Sequence, residues 1–226
     1  MNQRAGVLAL QGDFAAHARA LQQLGLDVVL VRRPADLAGL CLLALPGGES
    51  TTMSMLLDDS GLREPLSQLI APVAAGGAGL PVLATCAGVI LLARQLEGDS
   101  GSVQVRALGL LDATVARNSY GRQLESFEGE LTIDWAVLGR DQSRTTADSD
   151  TALRLDADAL LHSDPAFHGV FIRAPRISDI GAQASVAGRY MGEPVLVRQG
   201  NIIAAAFHPE LSGDLRIHQA LLALVE

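Results

Sequence analysis

The chain has 226 residues and a formal net charge of −8. That length can bury one large core without a disulfide scaffold, and an acidic balance with no Lys/Arg run excludes a nonspecific nucleic-acid binder. Hydrophobic residues make up 49% and aromatics only 4%, so small residues dominate and allow close helix–sheet packing; no run of 18 apolar residues is present, so no membrane span is expected.

In chain order, Gly6 to Leu10 (GVLAL) is an apolar run of strand length, broken by QGDF. Residues 14–25, FAAHARALQQLG, are predicted as a helix with Leu21 and Leu24 on one face and Gly25 as its stop. The segment preceding this helix has too short an apolar run for a signal peptide and no cleavage site, so no leader is expected. DVVLV is a second strand. Cys41 to Leu45 (CLLAL) is a third, ended by Pro46-Gly47-Gly48, with Ser50 or Thr51 capping a helix over TTMSMLLDDSG. PVLAT is a fourth strand, and GVILLARQLEG its helix. Apolar strands alternating with helices predict an α/β fold with a parallel sheet covered on both faces.

From about Leu108 the pattern changes to short strands: LGLLDATVARNS, ESFEGELTI, GVFIRA, ASVAGRY, PVLVRQ and NIIAAAF, with Gln199-Gly200-Asn201 as a hairpin turn. Asp134 to Pro165 is rich in Asp, Ser and Thr and is predicted as an exposed excursion, with a short helix around Asp156 to Leu161. LRIHQALLALVE closes the chain as an amphipathic helix. No repeat or domain boundary is visible, so residues 1–226 are read as a single domain. Two cysteines make no disulfide framework and are read as reduced thiols of a cytoplasmic protein.

Four stretches carry candidate chemistry. Cys86 stands between a strand and a helix, among Ala84, Ala87 and Gly88. A strand–nucleophile–helix turn needs small neighbours, and the helix N-terminus favours thiolate; the plain alternative is a buried structural cysteine. Cys41, inside an apolar run, is read as core. His208 ends the strand NIIAAAF and precedes Pro209-Glu210. Extended backbone puts residues i and i+2 on one side, so Glu210 can orient His208 as a base; otherwise His208 caps a turn. His17 is assigned to a polar helix face, and His162, His168 and His218 to solvated or structural positions. PGGEST, Pro46 to Thr51, offers backbone N–H groups at a helix N-terminus but lacks the P-loop lysine, so it suits a small carboxylate or oxyanion rather than a phosphate, unless it is a plain loop. RNSYGRQ and FIRAP each hold an Arg able to pair a carboxylate, or simply to form an ion pair.

The stretches GVLALQGDF, LPGGESTTM, TCAGVILLA, ARNSYGRQLESFEGEL, GVFIRAP and AAFHPEL together resemble the class I glutamine amidotransferases, and more narrowly the glutaminase subunits of pyridoxal 5′-phosphate synthase. PGGEST, TCAG and FHPE mark the superfamily; RNSYGRQ with FIRAP marks the vitamin B6 branch. The resemblance implies a three-layer sandwich around a mixed, mostly parallel, flavodoxin-like sheet. It implies Cys86 as nucleophile, His208 as base and Glu210 orienting His208. It further implies a glutamine pocket of Gly48, Glu49, Ser50, Arg117, Ile172 and Arg173, with backbone N–H groups at Gly48 and Ala87 for the oxyanion, and no metal or cofactor. The Gly47-Gly48 peptide is expected to act as a switch, since glycine permits a backbone flip. The implied partner is a (β/α)8-barrel synthase subunit assembled in rings, which receives the ammonia and uses ribose 5-phosphate and glyceraldehyde 3-phosphate. Two departures stand out: Ala84 where the family usually has Gly, and a longer Asp134–Pro165 stretch. Rival readings are a glutaminase for histidine or purine synthesis, a non-catalytic module on the same fold, and a hydrolase of peptides or γ-glutamyl compounds.

Overall fold

The structure is a computed structural model that describes residues 3–71, 79–98, 104–117, 126–139 and 163–225. Strand β1 (Arg4–Leu8) leads into helix α1 (Phe14–Gln23), whose N-terminus is capped by the Asp13 side chain and whose chain leaves through Gly25 at φ 80°. Then follow β2 (Asp27–Val31), β3 (Leu42–Leu45), α2 (Ser50–Asp59), α3 (Arg63–Ile70), β4 (Val82–Thr85) and α4 (Ala87–Leu92). The second half contributes β5 (Ala93–Glu97), β6 (Leu111–Ala116), β7 (Phe127–Ile133), α5 (Trp135–Leu138), β8 (Ala166–Phe171), β9 (Arg176–Ser178), β10 (Ser185–Tyr190), β11 (Glu193–Gln199), β12 (Ile202–Ala205) and α6 (Arg216–Leu222).

The main sheet is mixed, in the order β2-β1-β3-β4-β12-β11-β10-β7-β8. From β2 to β12 every pairing is parallel, in the 2-1-3-4 order of flavodoxin-like sheets. From β12 outward the strands run antiparallel. Side chains alternate between faces along a strand, yet every residue of β3, β4 and β12 is buried. Both faces of the parallel half are therefore covered, which makes the fold a three-layer α/β sandwich. A second sheet, β5-β6-β9, pairs β5 with β6 in parallel and β6 with β9 antiparallel.

Several sequence expectations need correcting. The helix predicted over GVILLARQLEG ends at Leu92, and Ala93–Glu97 is strand β5. The apolar pattern there is compatible with either state; the ladder with β6 supplies the backbone partners that decide it. Helix α2 is capped not by Ser50 or Thr51 but by Glu49, whose two carboxylate oxygens accept the N–H groups of Thr51 (3.1 Å) and Thr52 (2.6 Å). Cys41 lies one residue before β3 and is half-buried against the core. Helix α3 and strand β9 carry no signal strong enough to have been anticipated.

The Asp134–Pro165 stretch is exposed at Asp134 and Ala136 but does not begin as wholly exposed chain. Trp135 and Leu138 are buried in α5, and the Trp135 indole N–H donates to the Asp164 carbonyl at 2.9 Å. The two ends of the excursion are thus tied together, again by Ile133 N–H to the Pro165 carbonyl at 2.8 Å. The short helix expected around Asp156 to Leu161, His162, and most of RNSYGRQ lie outside the described residues. Among the described residues no helix is long and apolar enough to cross a membrane.

Candidate active site

In an open α/β sheet the crevice forms beyond the carboxyl ends of the parallel strands. Here four such ends contribute: Asp13 after β1, Gly47 to Ser50 after β3, Cys86 after β4 and His208 after β12. They line one cavity of about 230 Å³, with Asp13, Gly47, Gly48, Glu49, Ser50, Cys86, Ile90, Arg117, Ile172, Arg173 and His208 around it. The cavity suits a ligand the size of an amino acid better than a drug-sized molecule.

Cys86 is the single residue between β4 and α4, at φ 47° and ψ −104°. That is left-handed backbone, which a non-glycine residue holds only when its surroundings force it. The forcing is visible: Cys86 N–H donates to the Ala205 carbonyl of β12 at 2.9 Å, while its own carbonyl accepts from Val89 at 3.1 Å. Gly88 is required two residues on, because a Cβ there would stand 2.3 Å from the Leu45 carbonyl oxygen. Ala84 lies inside the β4 ladder, opposite Leu45 and Ala204, so its methyl group sits in regular strand and not in the turn. The Cys86 thiol donates to the Ile172 carbonyl at 3.7 Å. Next to Ile172, Arg173 is a second non-glycine residue at positive φ, 46°.

His208 and Glu210 converge as expected, but not through extended backbone. His208 precedes a 3-10 turn at Pro209–Leu211, and that turn brings Glu210 Oε1 to 2.8 Å from His208 Nδ1. With Nδ1–H committed to the carboxylate, Nε2 is the nitrogen free to exchange a proton. It is buried, points to Cys86 and has no hydrogen bond of good geometry. Burial opposes a charged ring, yet the pull of Cys86 and Glu210 outweighs it and raises the His208 pKa from 6.5 to about 10. A proton received on Nε2 is therefore held well.

The other predicted pocket residues meet in the same place. The Glu49 backbone N–H donates to the Gln11 side-chain oxygen at 2.7 Å, and the Gly47 carbonyl accepts from Asp13 N–H at 3.3 Å. Burial acts against the Glu49 charge, but the Thr52 and Thr51 donors hold its carboxyl down to about 2. Arg117 donates to Thr51 Oγ1 at 2.9 Å and lies 3.6 Å from Glu49 Oε1. Ala87 opens α4, where the first N–H groups have no intrahelical acceptor. A Cβ on Gly47 would stand 2.3 Å from His208 Cε1, so this glycine lets the ring reach the cavity.

Sequence reasoning missed Asp13 and Ile90 at the cavity and Gln11 behind its 47–50 loop, and it misplaced one histidine. His17 is not on a polar face: it is fully buried, 3.3 Å from Glu210 Oε2. His218 is buried beside it, with 3.1 Å between His17 Nδ1 and His218 Nε2. The spacing of His17, Leu21 and Leu24, one helical face at i, i+4 and i+7, was the available signal. His168 is exposed and paired with Glu128. Among the described residues no group of His, Cys, Asp and Glu side chains is arranged to hold a metal ion.

Comparison with known proteins points to one family. Residues 7–226 match the SNO glutamine amidotransferase family. The chain is similar to pyridoxal 5′-phosphate synthase subunit PdxT of Pelotomaculum thermopropionicum, 45% identical over 97% of this chain and 93% of that one. It is similar to the PdxT of Thermotoga maritima, 41% identical over 98% of both chains. Among solved structures it resembles a glutamine amidotransferase at 38% identity with a TM-score of 0.77, covering 98% of each chain. A glutamine amidotransferase of Thermotoga maritima, 13% identical at a TM-score of 0.56 over 100% of this chain and 99% of that one, shares the fold.

Proposed function

The chain belongs to the SNO glutamine amidotransferase family, and we propose that it is the glutaminase subunit of a pyridoxal 5′-phosphate synthase, hydrolysing L-glutamine to L-glutamate and ammonia. The observation that carries this reading is the single cavity in which Cys86, His208, the 47–50 loop, Arg117 and Ile172-Arg173 meet. Gly48, Glu49, Ser50, Arg117, Ile172 and Arg173 hold the α-amino and α-carboxylate groups of glutamine. Cys86, its thiol proton passed to His208 Nε2, attacks the side-chain amide carbon. Backbone N–H groups of Gly48 and Ala87 hold the oxyanion, each such donor contributing about 3 kcal/mol to the transition state. Collapse breaks the carbon–nitrogen bond as His208 gives its proton to the departing nitrogen, releasing ammonia. Water, deprotonated by His208, then cleaves the thioester and frees glutamate and the thiol. Glu210 orients His208 throughout.

Ammonia passes to a separate synthase subunit, a (β/α)8 barrel assembled in rings, which builds pyridoxal 5′-phosphate from ribose 5-phosphate and glyceraldehyde 3-phosphate. The Gly47–Gly48 peptide is the switch for this coupling: its carbonyl is tied to Asp13 N–H, and partner docking resets it. The free thiols Cys41 and Cys86 suit work in the cytoplasm.

The test is glutamate release from glutamine by the purified chain, with and without the synthase subunit, alongside Cys86→Ala. Release that rises with the partner and falls to background in the variant is expected. Release indifferent to that partner moves the chain to another glutaminase pathway, such as histidine or purine synthesis. Unchanged release by Cys86→Ala removes the thiol from the reaction. Turnover of γ-glutamyl peptides that free glutamine does not compete with favours a different hydrolase.

A further inference from the structure

Three buried side-chain polar atoms lack a hydrogen-bond partner among the described residues: His208 Nε2, Glu210 Oε2 and His218 Nδ1. All three lie in one cluster, and unpaired buried polar atoms are rare enough to need a reason. His208 Nε2 has one in the proposed chemistry. The other two lead to His17. Glu210 uses Oε1 for His208; its Oε2 is wholly buried and faces His17 Nε2 at 3.3 Å. His17 in turn reaches Thr85 Oγ1 with Nε2 and His218 Nε2 with Nδ1, each at 3.1 Å. Thr85 ends β4 immediately before Cys86, His17 sits on α1 and His218 on α6.

We infer that His17, held between Thr85 and His218, is a positioning residue for the Cys86–His208–Glu210 site, keeping the Glu210 carboxylate ionised and oriented through its otherwise unused oxygen. The inference deepens the glutaminase reading and rests on it.

The proton positions follow from the contacts. Burial first, and then His17, press His218 down to about 3, so His218 is neutral and carries one ring proton. Its Nδ1 is the buried atom without a partner, and a lone pair tolerates that position better than an N–H does. The proton therefore sits on Nε2 and is donated to His17 Nδ1. His17 must then carry its own proton on Nε2, between Thr85 Oγ1 and Glu210 Oε2. Were His17 doubly protonated, Nε2 would carry a proton as well, so the donor facing Glu210 does not depend on the charge of His17. Burial works against the Glu210 charge, and the His17 and His208 contacts overcome it, holding the carboxyl well below its usual range. Without His17, Oε2 would face only buried surroundings, and a lone buried carboxylate either turns away or takes up a proton. Both responses spoil its grip on His208 Nδ1. His17 does not line the cavity, so its loss acts on turnover and not on glutamine binding.

Asn and Gln variants decide the matter, because the amide nitrogen of Gln falls near the position of ring Nε2 and that of Asn near Nδ1. Steady-state glutaminase assays on the complex with the synthase subunit would compare wild type, His17→Gln, His17→Asn and Cys86→Ala, with thermal melts as a folding control. For His17→Asn, kcat should fall roughly 10- to 100-fold, the usual effect of removing an outer partner that orients a functional group, while KM stays within about twofold. His17→Gln should recover most of that loss. A folded His17→Asn with wild-type kcat, a loss confined to KM, or a His17→Gln no better than His17→Asn overturns the inference and leaves the glutaminase reading standing. A wild-type complex that releases no glutamate, or a Cys86→Ala complex as active as wild type, overturns the glutaminase reading and this inference with it.

Discussion

His208 holds protons at its two nitrogens for different reasons. Nδ1–H is fixed by Glu210 at 2.8 Å, while the proton on Nε2 is retained by proximity to Cys86 and to the buried carboxylate. Linkage turns this into a stability prediction. The folded pKa of about 10 lies above the ordinary 6.5, so the stabilisation is complete below pH 6.5 and is lost as pH rises through about 10. The lowered Glu210 works the other way: its contribution is present above 4.5 and is lost as pH falls. The stability advantage of wild type over His208→Gln should therefore shrink steadily between pH 6.5 and 10. Thermal melts across that range measure it, and a gap that does not change with pH would remove the ion-pair account. Spacing alone suggested the His208–Glu210 pair, though through the wrong backbone. It put His17 on a polar helix face, because a histidine on a helix is ordinary until the groups opposite it are known.

At the scale of elements, the turn at Cys86 depends on how closely α4 approaches β3. Gly88 lies in the first turn of α4 with the Leu45 carbonyl where its Cβ would be, 2.3 Å away. Both sides of that contact are backbone, so neither can yield by changing rotamer. Gly88→Ala should push α4 away from the sheet and destabilise the protein by about 1–3 kcal/mol, as overpacking does. In a chain of this size each kcal/mol moves Tm by roughly 2–4 °C. Because α4 follows directly from Cys86, glutaminase turnover should fall as well. A Gly88→Ala protein with unchanged Tm and turnover would show that this close approach is not what shapes the turn.

Over the whole molecule, the antiparallel half of the sheet reaches back to the parallel half. Strand β8 is the far edge of the sheet, four pairings from β12, yet the Val170 carbonyl accepts His208 N–H at 2.8 Å. Phe171 seals this return, with its ring 5.7 Å from Phe207 and stacked 4.6 Å from Phe127. Ile172 and Arg173 come to the cavity by that path. Phe171→Ala should cost about 3–5 kcal/mol through cavity formation, and it should also raise KM for glutamine, because the Ile172-Arg173 wall loses its support. Denaturation and steady-state kinetics on one preparation check both effects. A large stability loss with an unchanged KM would mean that the wall is held by its own strained turn and not by the packing behind it.

The amino-acid sequence by itself determined the alternation of apolar strands and helices, the tight turn at Cys86, the Gly25 stop, the Gln199-Gly200-Asn201 hairpin and the residues expected around the cavity. Each is written in local spacing, in small side chains at crowded positions, or in motifs that the family shares. Tertiary structure alone decided that Ala93–Glu97 is strand, because its backbone partners lie on β6. It decided that Glu49 caps α2, and that Trp135 and Leu138, near the start of the Asp134–Pro165 stretch, are buried. It also decided that His17 and His218, 201 positions apart in the chain, meet behind Glu210. The physical reason is common to all of these: which backbone group or buried charge lacks a partner, and which distant residue can supply one, is settled only when the layers close.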